Sequence, residues 1–228
     1  MKVFFDCEFS GLHSGTTLIS IGLMSEDNKM FYAELNDYDK SQVDPWIEEH
    51  VIKNLLFEKN RFEPDRQFIP VFAENYCMLG NKEKVKQMLT KWLSQFDSVQ
   101  MWSDCLAYDW VLFNNVFGTA FDIPENVNYI PQDICTLFYA CDIDPDISRE
   151  EFVYGENYNK PELKYLFDQS TYKHNALYDA YTIKECYNQL MFNLKNNPSF
   201  ISPDKSETSH TAFYSFYKQI LQTGKVGN

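Results

Sequence analysis

The stretch MKVFFDCEFSGLHSGTTLISIGLM, residues 1–24, sets two carboxylates, Asp6 and Glu8, two positions apart inside an apolar run. In a β-strand, residues i and i+2 share a face, so both carboxylates point the same way from an element built for burial. Like charges side by side repel, and withdrawing them from water costs more. A chain that keeps this pair needs something that makes the crowding tolerable.

The bulk properties narrow what that can be. A chain of 228 residues, 44% of them hydrophobic, is enough for one domain with a real core. Aromatic content is high, with 19 Phe and 15 Tyr, while Gly and Pro are sparse at 8 and 9. No apolar run is long enough to span a bilayer. The first apolar run is interrupted by Asp6 and Glu8, which is not the pattern of a signal peptide. Six cysteines sit in apolar or helical patterns without a C-x-x-C pair, which predicts reduced thiols in a cytoplasmic protein. A net charge of −13 argues against non-specific binding to a phosphate backbone.

The patterning predicts an α/β unit. Strands are expected at residues 2–5, 18–24, 30–35 and 99–102, with a fifth at 127–130, the first three forming a meander through short turns. Asn81 opens a run in which Val85, Met88, Leu89, Trp92, Leu93 and Phe96 share one helical face. Asp44-Pro45 reads as a cap and first-turn proline of a helix reaching residue 52. Further helices are expected at 108–117, 132–141 and 175–194. Residues 196–211 read as a linker and 212–221 as a last amphipathic helix, dividing the chain into 1–195 and 196–228. Apart from the helix opened by Asp44-Pro45, residues 36–79 have mixed patterning and receive no assignment.

Three further acidic patches stand out: WSDCLAYDWVLF with Asp104 and Asp109, IPQDICTLFYA with Asp133, and KHNALYDAYTIKE with His174 and Asp179. Five residues on a helix amount to about 140° off a single face, so His174 belongs just before the helix and Asp179 on it. Each patch also has an ordinary structural reading. Glu8 can face solvent at an edge strand. Asp104 and Asp133 are good N-caps. Asp109 can lie on a solvated face, and His174 can cap a helix. The ordered combination is harder to explain that way: a strand D-x-E, an Asp after a later strand, and H-x-x-x-x-D opening a long helix.

That combination resembles the DEDDh 3′–5′ exonuclease family, with its RNase H-like fold, over roughly residues 2–191. DCEFSGL is similar to the family's D-x-E-T-x-G-L, AYDWVLF to its second motif, and HNALYDA to its third, H-x-A-x-x-D-A. Within the family, LISIGL, DPWIEEHVIKNL and WSDCLAYDW resemble the RNase T-like exoribonuclease branch. Phe9 departs from the hydroxyl residue usual after the Glu, and Asp104 stands where an Asn is usual. The resemblance implies a mixed central sheet flanked by helices. It implies two ions of Mg²⁺ or Mn²⁺, which suit hard oxygen ligands, held by Asp6, Glu8, Asp109 and Asp179. Asp6 would bridge both ions, Glu8 and Asp179 would complete the shell of the ion that activates water, and Asp109 would act near the other. His174 would be the general base. The loop Phe9, Ser10, Gly11 and Leu12 would seat the terminal nucleotide.

The implied activity is 3′–5′ exoribonuclease hydrolysis releasing nucleoside 5′-monophosphates in RNA processing, with single-stranded 3′ ends as partners and a homodimer as many relatives form. The same chemistry on DNA, and a non-catalytic RNase H-like binding module, are the alternatives; the complete acid set argues against the last. Lys160, Lys164 and Lys173 lie near His174 in sequence and could meet a backbone, or simply form a solvated loop. Bound cations would also answer the objection raised by the acidic charge.

Overall fold

The computed structural model describes residues 1–57, 76–155 and 173–196. The expected linker beyond residue 196, the helix at 212–221, and Lys160 and Lys164 lie outside the described residues.

The described residues build one six-stranded sheet from β1 (Lys2–Phe9), β2 (Leu18–Ser25), β3 (Met30–Leu35), β4 (Tyr76–Gly80), β5 (Gln100–Ser103) and β6 (Gln132–Asp133). The spatial order is β4-β3-β2-β1-β5-β6. β1, β2 and β3 form the expected antiparallel meander, and every other pairing is parallel. With helices on both faces, this is the α/β class and the mixed central sheet flanked by helices that the motifs imply, with β4 at one edge.

Alternation along β1 explains the layers. Val3, Phe5 and Cys7 point into a core shared with α2 (Lys82–Leu93) and α3 (Ala107–Phe117), where Phe5 meets Trp110 and Phe113. Phe4 points to the opposite core, built with α4 (Ile134–Ala140) and α6 (Ala176–Asn196). Asp6 and Glu8 continue the Phe4 side, as the period of two requires.

Several sequence expectations hold at the level of single hydrogen bonds. Asn81 caps α2 by accepting from Lys84 N at 3.0 Å, and Asp133 caps α4 by accepting from Cys135 N and Thr136 N. Asp44 accepts from Ile47 N at 2.8 Å and starts α1 (Pro45–His50), which passes into a 3-10 turn at Ile52–Asn54.

Other expectations are corrected. Residues 127–130 do not form a strand: Val127 makes a single bridge to Val99, and the ladder resumes only after Pro131, which has no N–H to donate. The helix expected from 132 begins at Ile134, because residues 132–133 are the strand β6. Asp104 is not a cap. α3 begins at Ala107 after Leu106, and Asp104 instead pairs with Arg149, Nε to Oδ2 at 3.0 Å. Cys105, at φ 46°, turns the chain between them. β4 and α5 (Arg149–Tyr154) were not expected, since both are too short to show a period.

One glycine sets how closely the layers approach. Gly22 lies opposite Asp6 in the β1–β2 register. A Cβ on Gly22 would sit 2.3 Å from the backbone of Ala176 and Leu177, at the start of α6. Backbone cannot move aside as a side-chain tip can, so Gly22→Ala must push α6 off the sheet. The variant is expected to lose at least about 2 kcal/mol of stability, measured by denaturant unfolding, since over-packing of this kind usually costs 1–3 kcal/mol.

Candidate active site

The sheet opens where β5 leaves β1. Only Lys2, Val3 and Phe4 pair with β5, so β1 beyond Phe4 has a free edge on that side. This is the topological switch point of the sheet, at the carboxyl ends of β1 and β5, where open α/β sheets place their ligand crevices. Asp109, in the first turn of α3, fills part of the gap. Its Oδ1 accepts from Cys7 N at 3.1 Å and its Oδ2 from Ser103 Oγ at 3.4 Å. A register shift between Glu8 and Phe9 kinks β1 just before its last pair, Phe9 with Leu18, and the chain then runs into the following loop.

A cleft of about 620 Å³ opens at this point. Asp6, Glu8, Asp104, Asp109, His174 and Asp179 all line it, so the structure gathers every acid and the histidine of the three motifs. Glu8, His174 and Asp179 are the tightest group, each offering a ligand atom within 4.8 Å of the others. Asp6 sits next to this trio and feels the charges of Asp179 and Glu8, while the charge of Asp109 acts on both Asp6 and Glu8.

Electrostatics follow from the crowding. Burial, then the charges of Asp109, Asp179 and Glu8, push the Asp6 carboxyl well above the usual carboxylate range. Asp179 is raised for the same reasons, by burial first and Glu8 next, against one backbone N–H from His174 at 2.9 Å. Burial, then Asp109 and Asp104, push Glu8 up to about 8, and burial with Asp104 does the same to Asp109. Without cations, Glu8 and Asp109, pushed up to about 8, favour their protonated forms at neutral pH, where free carboxylates are ionised. Hard anionic oxygens collected this way fit divalent cations of the Mg²⁺ or Mn²⁺ type, whose charge removes the repulsion.

His174 is held in a left-handed conformation, φ 64°, which a non-glycine residue adopts only when its surroundings impose it. Asn54 Nδ2 donates to Lys173 O at 2.8 Å. Asn175 Nδ2 donates to Asn54 O at 2.9 Å, and Asn175 Oδ1 caps α6 by accepting from Leu177 N and Tyr178 N. Thus Asn175, not His174, is the cap. Behind it, Tyr32 donates to the buried Glu34, whose carboxylate also accepts from the backbone of Leu56 and Phe57. The His174 ring meets Trp46 edge-on at 5.1 Å, and Trp46 stacks on His50 at 4.5 Å. Burial, then Lys173 and His50, lower the His174 pKa, with Glu150 pulling the other way, so its imidazole is neutral at pH 7.

The loop after Glu8 divides in two. Phe9, Gly11 and Leu12 line the cleft; Phe9 stacks on Tyr108 at 5.5 Å, and Leu12 is 77% exposed. Gly11 has φ +144°, a backbone that other residues rarely adopt. Ser10, expected beside substrate, is buried and does not reach the cleft. Its hydroxyl pairs with Thr17 at 2.9 Å and with Gln42, which fixes the loop's shape.

Sequence reasoning missed Trp46, His50, Cys105 and Arg149. Trp46 and His50 stand four apart on a capped helix, a readable signal. Arg149 is the one cation in the acidic run at residues 142–151, which also marks it out.

The chain is 26% identical over 140 residues to the 3′–5′ exoribonuclease Rv2179c of Mycobacterium tuberculosis, a match covering 60% of this chain and 74% of that protein. The corresponding protein of a second strain matches equally. At low identity, this chain is similar to a 3′–5′ exoribonuclease. The exonuclease resemblance drawn from the motifs is borne out at that level. No protein-family model matches the chain. Among solved structures, the catalytic unit of Neurospora crassa Pan2 (protease and nuclease domain) has a TM-score of 0.45 at 13% identity, covering 90% of this chain and 30% of that one. The zinc-bound complex of E. coli ExoI with single-stranded DNA has a TM-score of 0.47 at 14% identity, covering 87% and 41%. The chain spans less than half of either.

The crowding predicts a pH signature in metal-free protein. Glu8 and Asp109 have folded pKa values near 8 against ordinary values of 4.5 and 3.8. Acids raised on folding contribute stability at low pH that is lost as pH rises towards the folded pKa. In EDTA, the melting temperature should therefore fall between about pH 5 and pH 8, against a smaller opposite slope from His174. Mg²⁺ or Mn²⁺ should raise it, and more so at pH 8 than at pH 5. Asp6→Asn should raise the EDTA melting temperature and remove most of the cation increment. An EDTA melting temperature that climbs from pH 5 to pH 8 would count against the cluster.

Proposed function

We propose that this chain is a divalent-metal-dependent 3′–5′ exoribonuclease of the DEDDh type, releasing nucleoside 5′-monophosphates from single-stranded 3′ ends. The observation that carries the reading is the convergence of Asp6, Glu8, Asp109, Asp179 and a neutral His174 on one cleft. The similarity to an exoribonuclease of M. tuberculosis supports RNA over DNA.

Asp6, Glu8, Asp109 and Asp179 would hold two ions of Mg²⁺ or Mn²⁺, which when bound supply positive charge to the attacking and leaving oxygens of an in-line displacement at phosphorus. His174 takes the proton of the attacking water at an imidazole nitrogen. The new P–O bond forms as the bond from phosphorus to the 3′ oxygen of the preceding nucleotide breaks. Glu34, Tyr32, Asn54 and Asn175 hold the His174 segment against the helix that carries Asp179.

Base recognition falls to aromatic surface. Phe9 on Tyr108 and the half-exposed Trp46 on His50 stand at the cleft and offer ring faces to which any base can stack. An acidic protein can then hold a short 3′ tail with few phosphate contacts; Lys173 and Arg149 are the cations lining the cleft among the described residues. No described helix is long and apolar enough to cross a membrane. A cytoplasmic setting and a homodimer complete the proposal.

The test uses 5′-labelled RNA and DNA oligonucleotides with Mg²⁺, Mn²⁺ or EDTA. RNA should shorten stepwise from its 3′ end with either cation and stay intact in EDTA; full turnover in EDTA would sink the mechanism, and faster DNA shortening would reassign the substrate. His174→Ala should bind oligonucleotide normally but turn over roughly 10²–10⁴-fold more slowly, the usual contribution of a positioned base. Asp109→Ala should lose nearly all activity. Asp104→Ala should lose chiefly stability, by roughly 1.5–3 kcal/mol, because Arg149 is left half-buried without its carboxylate.

A further inference from the structure

Cys105, which lines the cleft, faces Cys135, with their sulfurs 3.7 Å apart. The sheet puts them there. Ser103 pairs with Asp133 at the last rung of β5–β6, and each cysteine follows its rung by two residues. Cys105 is exposed and strained at φ 46°. Cys135 is partly buried, and its sulfur accepts from Arg149 Nη2. Cys7, Cys141 and Cys186 are buried in the cores.

We propose that Cys105 and Cys135 form a redox pair that closes to an intramolecular disulfide when the protein meets a peroxide. Exposure makes Cys105 the first thiol attacked. Burial pushes the Cys135 thiol up to about 12, against the Cys105 backbone N–H and then the Arg149 guanidinium, and with its sulfur less exposed than that of Cys105, Cys135 reacts second. In the first step the Cys105 sulfur attacks the peroxide oxygen. The O–O bond breaks, a sulfenic acid forms, and one water leaves carrying the thiol proton. In the second step the Cys135 sulfur attacks the Cys105 sulfur. The S–S bond forms, the S–O bond breaks, and the hydroxyl departs with the Cys135 proton as a second water. Two thiols lose two electrons in all, and one hydrogen peroxide is reduced to two waters.

The positions suit such a bond. It joins the turn before α3 to the first turn of α4, two segments already held together by β5–β6 pairing, so it needs no long-range movement. It also draws Cys135 away from Arg149, whose Nε holds Asp104 in the cleft wall. The bond forms or fails irrespective of any nuclease activity.

The experiment treats the reduced full-length protein with stoichiometric hydrogen peroxide, then maps peptides without reduction. The expected product is a monomer lighter by about 2 Da, with the Cys105 and Cys135 peptides linked and dithiothreitol restoring both. Cys105→Ser should abolish the linkage. Cys135→Ser should leave Cys105 as a sulfenic acid that dimedone captures. Cys105 driven to sulfinic acid while Cys135 stays a thiol, a disulfide between two chains, or an untouched pair would each overturn the assignment.

Discussion

Several carboxylates are withdrawn from water around one cleft, and the surrounding fold has to hold them there. Glu8 and Asp109 are buried, and Asp6 and Asp179 are partly buried beside them. Such a group costs several kcal/mol unless it is neutralised, hydrogen-bonded or paired with a cation. Among the described residues, donors to these acids include Cys7 N and Ser103 Oγ for Asp109, and His174 N for Asp179. A fold selected for stability alone would not keep this arrangement. The two aromatic cores on either face of β1 offset its cost.

The scaffold around the cluster is correspondingly rigid. Three elements deliver the acids: the end of β1, the first turn of α3 and the first turn of α6. Each is placed by a feature that tolerates little substitution. The β1 edge is free because β5 turns away after Ser103. α3 starts where Cys105 reverses the chain. α6 approaches only because Gly22 has no side chain. The buried Glu34–Tyr32–Asn175 chain then fixes the strained His174 backbone relative to the sheet. Polar networks of this sort, fully satisfied, specify one geometry rather than add much net stability.

The acidic balance of the chain acquires a local meaning. Arg149 and Lys173 are the basic side chains among the cleft's lining, and Arg149 is committed to Asp104, Cys135 and the carbonyls of Pro145 and Ile147. The rest of the wall is acids, aromatic rings and aliphatic side chains such as Ile47, Val51, Ile147 and Ile183. Ring faces remain effective at high salt, where ion pairs with a phosphate backbone fade.

The meander, the α2 and α6 helices, the caps at Asp44, Asn81 and Asp133, and the acids of the cleft were legible in the amino-acid sequence. These are local properties: a period of two or 3.6, a side chain reaching its own next turn, a spacing along one strand. It did not determine what lies across the cleft. Asp104 reads as a cap because a cap is a local bond, yet its partner, Arg149, is 45 residues away. Ser10 sits in the loop that faces the cleft, but hydrogen bonds to Thr17 and Gln42 turn its hydroxyl inward. β4 and α5 are too short to carry a period, and their pairing supplies the information their sequences lack. Trp46, His50 and His174 become one cluster only when α1 and the start of α6 pack together. Distances between elements distant in sequence are fixed by packing, and packing is decided only in three dimensions.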